Sequence, residues 1–107
     1  GVSLTFDEAQ ARVAAWVSQY EEGYFPPLVQ VSRLVEELGE LARAISHETG
    51  VKKPKPDEEL HGVDGEIGDL IFVLVCLANS RGADLGDIFE KTMSKIERRD
   101  AQRWTRK

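Results

Sequence analysis

The amino-acid sequence predicts an all-α protein with a four-helix bundle-type fold, and three observations support this prediction. Apolar residues recur at helical spacing through most of the chain. Capping residues, glycines and prolines divide the chain into four segments. No Asn-Gly or Asp-Gly turn separates two apolar runs, and polar and apolar residues do not alternate over any useful length, so strands are not indicated.

Two helices are predicted in the first half of the chain. Residues 5–8, Thr-Phe-Asp-Glu, have the form of a capping box, which begins the first helix. Pro26 and Pro27 fit the first positions of the second helix, where a missing backbone N–H costs little. Apolar residues then recur at helical spacing, which carries the second helix to about His47.

Two further helices are predicted after a loop. Residues 51–59 include Lys-Lys-Pro-Lys-Pro and are predicted to be a connection. A third helix begins within 58–64 and continues to about Ser80. Asp84 offers an N-cap for a fourth helix over 85–99.

The composition limits the class of protein. A chain of 107 residues is too short for two cores, so we expect one domain over residues 1–107. The net charge of −5 argues against a nucleic-acid partner. The longest nearly apolar run, 70–78, is far shorter than the roughly 20 residues that cross a bilayer, so no membrane is expected. The single Cys76 indicates a reducing compartment, and the cytoplasm is the expected location.

Four carboxylates stand in two pairs with the same spacing. Glu37 and Glu40 lie in the predicted second helix, and Glu66 and Asp69 lie in the third. Residues three apart share one face of a helix, so each pair places two like charges together. Either pair alone is explained more simply as a solvated acidic surface.

The surroundings of Asp69 favour a metal site. The residues that follow it, 70–78, are apolar on every side of a helix, and such a helix is normally buried. We therefore expect the Asp69 carboxylate to be desolvated, which costs several kcal/mol unless a cation neutralises it. Two helices packed side by side can bring the four carboxylates to one point, with oxygen ligands that suit Mg²⁺ or Mn²⁺.

A di-iron pair is not supported. It would need two Glu-x-x-His motifs, and the chain has only the one formed by Glu58 and His61. Both His61 and His47 are expected to be exposed surface groups.

The two acidic motifs together resemble those of the MazG-like all-α nucleoside triphosphate pyrophosphohydrolases, whose hallmark is Glu-Glu-x-x-Glu followed by Glu-x-x-Asp. Here the motifs are residues 36–40 and 66–69, and the similarity extends from the helix with Gln10 and Trp16 to the basic fourth helix. The resemblance implies four ligands for Mg²⁺: Glu37, Glu40, Glu66 and Asp69. We assign catalysis to the acids of the first motif: Glu36, Glu37 and Glu40. Glu36 is a candidate to support the site or activate water, but it is turned away from the apolar stripe of the helix, and a structural role explains it equally well.

The resemblance implies hydrolysis of a nucleoside triphosphate, ribo or deoxy, to a monophosphate and pyrophosphate. Water attacks the α-phosphorus, and such an activity can clean the nucleotide pool. Lys91 and Arg98 match phosphate-binding positions of the family, and Lys95 stands where members typically carry Asn. A solvated basic helix face explains these three residues equally well. Trp16 is a candidate for stacking on the base, although an aromatic residue in an amphipathic helix is more often part of a core.

Two other functions stay open at this point. One is a phosphoribosyl-ATP pyrophosphohydrolase of the same superfamily. The other is a non-catalytic bundle that binds nucleotides or a protein partner and uses the carboxylates for a structural cation. Whichever function holds, self-association is expected, because the helices of a single chain cannot cover the third helix, which is apolar all round. The resemblance implies a homodimer or a homotetramer, and we expect a tetramer built as a pair of dimers.

Overall fold

The structure is a computed structural model that describes residues 1–56 and 62–107, and within those ranges it contains four helices and no strand. The helices are α1 (Phe6–Val17), α2 (Pro27–Glu48), α3 (Val63–Ser80) and α4 (Leu85–Asp100). The all-α prediction is confirmed. The predicted Glu58–His61 motif lies outside the described residues.

Local sequence signals set the ends of these helices. The Thr5 side chain accepts a hydrogen bond from the Glu8 backbone N–H at 3.1 Å, and the Glu8 carboxylate accepts one from the Thr5 backbone N–H at 2.9 Å. This is the predicted capping box. Gly50 follows α2 with φ of 76°, and Gly82 follows α3 with φ of 65°; other residues rarely adopt these angles, so glycine ends each helix.

The main packing contact joins α2 and α3, and α1 packs against both α3 and α4. Gln30, near the start of α2, contacts Ser80 at the end of α3, whereas Glu37 lies farther along α2 beside Glu66 near the start of α3. The two helices are therefore antiparallel. In α2, Gln30 and Ala44 are buried, and residues between them at helical spacing are half-buried, among them Leu34, Glu37 and Leu41.

A polar network holds the helix ends together. Gln10 of α1 donates from Nε2 to Asn79 Oδ1 at 2.8 Å and to the Ala83 carbonyl at 2.9 Å, and its Oε1 accepts from the Leu85 backbone N–H at 2.9 Å. Asn79 Nδ2 also donates to the Tyr24 hydroxyl at 3.0 Å. One glutamine thus ties α1 to the end of α3 and the start of α4, and Asn79 fixes the segment that precedes α2.

The helix α3 is only partly buried within one chain, as expected if four short helices cannot cover it on every side. Val73, Val75 and Ala78 are buried, but Ile71 is 54% exposed and Leu74 is 48% exposed. The reason is that α1 and α2 are the main helices packed on α3, and they leave a strip of its surface open.

The chain is also more extended than a compact domain of its length. Its radius of gyration is 17.3 Å, whereas about 13 Å is typical for a compact chain of 107 residues. Among the described residues, no large side chain is completely shielded from solvent. Much apolar surface is therefore left uncovered in a single copy. None of the described helices combines the length and the apolar character needed to cross a bilayer.

Candidate metal centre

The antiparallel packing of α2 and α3 brings three carboxylates to one point. Glu37, Glu66 and Asp69 each offer one oxygen atom, and these atoms lie within 4.8 Å of one another. Carboxylate oxygens at such separations can converge on one hard divalent cation. Three of the four predicted ligands are thus brought together.

Glu66 is the buried member of the group. It is 3% exposed, and its Oε2 atom has no hydrogen-bond partner in the described part of the chain. A buried carboxylate oxygen without a partner is costly, and a bound cation removes that cost. The unpaired atom and the all-oxygen ligand set therefore fit a metal ion.

The expectation that Asp69 is the desolvated carboxylate is wrong for the single chain, because Asp69 is exposed. Glu66 lies seven residues before Val73, so both point along the same line of α3, and that line faces α2. Asp69 is turned about 60° around the helix axis from Glu66. The rotation of α3, and not the apolar run after Asp69, decides which acid is buried.

Glu37 is the electrostatically perturbed member. Its side chain is 18% exposed, and its carboxylate lies 3.7 Å from the Arg33 guanidinium. Burial raises the pKa of Glu37 above its ordinary value, the negative charges of Asp69 and Glu66 raise it further, and Arg33 opposes them. The Glu37 carboxylate alone therefore resists ionisation, and a bound cation would favour its charged form.

This shift makes the stability of the metal-free protein depend on pH. Because the pKa of Glu37 is higher in the folded state, protonation of this group stabilises the fold at low pH, and that contribution is lost as pH rises through the raised pKa. In EDTA, the free energy of unfolding of the wild type should therefore rise relative to that of Glu37→Gln as pH falls from neutral toward the ordinary pKa of a glutamate. Denaturant unfolding of both proteins checks this, and a pH-independent difference would contradict it.

The other acids of the first motif stand apart from this group. Glu40, the fourth predicted ligand, has a 40% exposed side chain and lies 3.5 Å from the Arg43 guanidinium. Glu36 is exposed. Within one chain, neither is part of the three-carboxylate cluster, and their roles stay predictions.

The predicted phosphate contacts are also separate from the acids within one chain. Lys91, Lys95 and Arg98 are exposed on α4. That helix packs chiefly against α1, whereas the acids lie between α2 and α3. A single copy therefore does not bring the basic residues to the carboxylates by its main helix contacts.

A cavity of about 380 Å³ lies between α1, α2 and α3, and its wall includes Arg33, one helical turn before Glu37. Arg33 connects the cavity to the acidic group, because it lines the cavity and also pairs with Glu37. Five aromatic side chains contribute to the cavity wall: Trp16, Tyr20, Tyr24, Phe25 and Phe72. An aromatic cavity with few polar groups is typical of sites for flat organic ligands.

Trp16 belongs to the rim of this cavity. It is 53% exposed, so the expectation that it is a core residue is wrong for the single chain. Its ring meets that of Tyr20 edge to face, with 5.2 Å between the centroids. Stacking of Trp16 on a base stays a prediction, and its position in the cavity wall favours that role.

Cys76 and His47 also differ from simple surface groups. Cys76 lines the cavity and is half-buried, and burial raises the pKa of its thiol. The thiol therefore stays protonated and forms an apolar part of the cavity wall.

His47 is half-buried, so the expectation of an exposed histidine is wrong for this residue, whereas His61 lies outside the described residues.

Two residues of the site were missed by the sequence reasoning. Arg33 precedes Glu37 by four residues, which is the spacing of a helical ion pair and was a usable signal. Gln30 precedes Glu37 by seven residues, so the two residues share one face of α2, and Gln30 also lines the cavity. A polar residue on the apolar face of α2 was the only hint of its burial.

Comparisons with known proteins agree with this fold. Residues 25–104 match the model of the MazG nucleotide pyrophosphohydrolase domain. The chain is 48% identical over 103 residues to the uncharacterised protein YpjD of Bacillus subtilis, covering 96% of this chain and 93% of YpjD. It is 31% identical over 94 residues to the uncharacterised protein YvdC of the same organism, covering 78% of this chain and 89% of YvdC.

Two solved structures are also similar. The crystal structure of YpjD, described as a candidate pyrophosphatase, superposes with a TM-score of 0.78 at 44% identity and covers 90% of this chain and 98% of that one. A Bacillus-conserved MazG protein, described as a nucleotide pyrophosphohydrolase, has a TM-score of 0.78 at 37% identity and covers 94% of this chain and 97% of that one. This chain belongs to the MazG nucleotide pyrophosphohydrolase family.

Proposed function

We propose that this protein is a Mg²⁺-dependent nucleoside triphosphate pyrophosphohydrolase of the cytoplasm, which converts a ribo- or deoxyribonucleoside triphosphate and water to the monophosphate and pyrophosphate. The observation that carries the proposal is the acidic cluster of Glu37, Glu66 and Asp69 beside an aromatic cavity. A nucleotide needs both parts, one for the metal-bound phosphates and one for the base. A role in cleaning the nucleotide pool is part of the proposal.

The carboxylates are proposed to hold Mg²⁺ or, alternatively, Mn²⁺. Glu37, Glu66 and Asp69 are proposed to supply ligand oxygens, and Glu40, one helical turn from Glu37, is proposed as the fourth ligand. When bound, the metal ion supplies positive charge that neutralises the phosphate oxygens. The unpaired Oε2 of buried Glu66 supports this assignment, because it has no other partner among the described residues.

Other residues are assigned to the substrate. Glu36 is proposed to accept a proton from the attacking water, and Trp16 to stack on the base at the rim of the cavity. Lys91, Lys95 and Arg98 are proposed to contact the phosphates. Since α4 packs away from the acids in one chain, a second copy is the proposed source of these basic groups.

A substrate panel tests the activity. The protein is incubated with Mg²⁺ and each of the ribo- and deoxyribonucleoside triphosphates, with phosphoribosyl-ATP alongside, and pyrophosphate is measured. We expect release from at least one triphosphate, and none in EDTA. Release from phosphoribosyl-ATP alone would contradict the proposed substrate class. Binding of nucleotides without release from any compound would favour the non-catalytic bundle.

We further propose that residues 1–107 form one domain that assembles as a homotetramer, a pair of dimers. Support comes from the open strip of α3 and from the radius of gyration of 17.3 Å, both of which indicate apolar surface that a second copy can cover. Light scattering should give about four times the 12.0 kDa of one chain. A dimer would correct the stoichiometry, and a monomer would contradict self-association.

A further inference from the structure

Gln30 is a buried polar side chain in the wall of the aromatic cavity. It is 3% exposed, and its Nε2 donates to the Phe25 carbonyl at 2.6 Å and lies 3.5 Å from Ser80 Oγ. A carbonyl oxygen can only accept, so the bond to Phe25 fixes which end of the amide is nitrogen. The remaining atom, Oε1, is therefore an acceptor.

This acceptor has no partner in the protein as described. Oε1 of Gln30 is buried and receives no hydrogen bond from any residue in 1–56 or 62–107. Buried side-chain acceptors are nearly always satisfied, and leaving one unsatisfied is costly. A donor from water or from a ligand in the adjoining cavity would satisfy it.

The position of Gln30 relative to the acids suits a nucleotide. Gln30 and Glu37 are seven residues apart on the same face of α2, which separates them by about 10 Å along the helix. Arg33 lies between them, lining the cavity and pairing with Glu37. A nucleotide whose phosphates lie at the acids can extend along α2 and place its base beside Gln30.

We propose that Gln30 determines base specificity: its Oε1 accepts a hydrogen bond from a ring N–H or an exocyclic amino group on the edge of the bound base. The inference rests on the proposed function and deepens it. Aromatic side chains such as Trp16 and Phe72 provide surfaces for the faces of the base, which any base can use. A fixed acceptor instead selects for bases that present a donor and rejects bases whose donor is blocked.

Matched substrate pairs test this role. The triphosphate hydrolysed fastest in the panel is compared with an analogue without the edge donor. Uridine is paired with its ring-N-methylated form, cytidine and adenosine with analogues without the amino group, and guanosine with N-methylated inosine. For the wild type, we expect loss of the donor to lower kcat/KM about 10- to 100-fold. Equal values for the two members of the pair would overturn the proposal and leave water as the partner of Gln30.

A variant of Gln30 tests whether this residue causes the difference in kcat/KM between the natural substrate and its analogue. In Gln30→Met, kcat/KM for the natural substrate should fall to about that for the analogue, so that the ratio approaches one. The matched control is Gln102→Met, at an exposed glutamine, which should keep the wild-type ratio. An unchanged ratio in Gln30→Met would overturn the assignment. If Gln30→Met does not fold, the wild-type comparison still tests whether the site requires a donor on the edge of the base, and equal kcat/KM values there would overturn the proposal.

Failure of the proposed function is distinguishable from failure of this inference. If no triphosphate releases pyrophosphate, the pyrophosphohydrolase proposal fails. The same natural and analogue pairs are then compared for binding by calorimetry with Mg²⁺, and a 10- to 100-fold difference in affinity would still support the role of Gln30. Absence of binding, or equal affinity within every pair, would overturn it.

Discussion

Glu66→Gln and Asp69→Ala are each expected to lower the rate of pyrophosphate release about 100- to 1,000-fold. Each substitution removes one charged oxygen ligand from a cluster whose atoms lie within 4.8 Å of one another. The remaining carboxylates hold the cation more weakly and place less positive charge at the phosphates. The rate is measured with the best substrate of the panel over a range of Mg²⁺ concentrations.

The matched control for these variants is Glu48→Gln. Glu48 is an exposed acid at the end of α2, the helix that also carries Glu37, so this variant changes the net charge equally and leaves the cluster intact. It should keep the wild-type rate. Activity that survives both Glu66→Gln and Asp69→Ala would defeat the metal assignment and place catalysis elsewhere.

The second large effect is on stability, and its sign depends on the metal. In EDTA, Glu66→Gln should be more stable than the wild type by about 1–3 kcal/mol, because it removes a buried charge that faces two other carboxylates. In Mg²⁺ at about 100 times its dissociation constant, the wild type should gain about 2.7 kcal/mol. The variant should gain much less, so the difference between the proteins shrinks or reverses.

Thermal and denaturant unfolding in EDTA and in Mg²⁺ measure this effect, with Glu48→Gln again as the control. The control should follow the wild type in both conditions. A Glu66→Gln protein that is less stable than the wild type in EDTA, and that responds to Mg²⁺ as strongly, would show that Glu66 stabilises the fold by other contacts. The loss of activity in that variant would then have a structural cause.

Local signals explain why the helices could be predicted. The Thr5 capping box, the Asp84 cap and the glycines that end α2 and α3 act within a few residues, so the sequence alone indicates them. The predicted ends of α2 and α4, His47 and Arg99, differ from the observed ends by one residue each. Fraying and capping make errors of this size ordinary.

The details of the site depend on packing, which sequence spacing does not determine. The i, i+3 spacing indicated that Glu37, Glu66 and Asp69 could converge, and the structure brings them together. The same spacing could not tell that Glu66 and not Asp69 is buried, because that depends on how α3 is rotated against α2. Glu40 pairs with Arg43 for a similar reason, since a neighbour one turn away competes for its carboxylate.

The cavity was beyond the reach of sequence reasoning. Its wall combines Trp16 of α1, Tyr24 of the following segment, Gln30 of α2 and Phe72 of α3. These residues come from separate parts of the chain, and no spacing rule relates them. Asn79 donates a hydrogen bond to the Tyr24 hydroxyl, so it positions part of the cavity wall from a distant part of the chain.

Hydrolysis of the best panel substrate in ¹⁸O-labelled water tests the proposed reaction most directly. With Mg²⁺ present, mass spectrometry should find the label in the nucleoside monophosphate and none in the released pyrophosphate, because water attacks the α-phosphorus. Label in pyrophosphate, or release of labelled inorganic phosphate as the first product, would contradict the proposed pyrophosphohydrolase reaction.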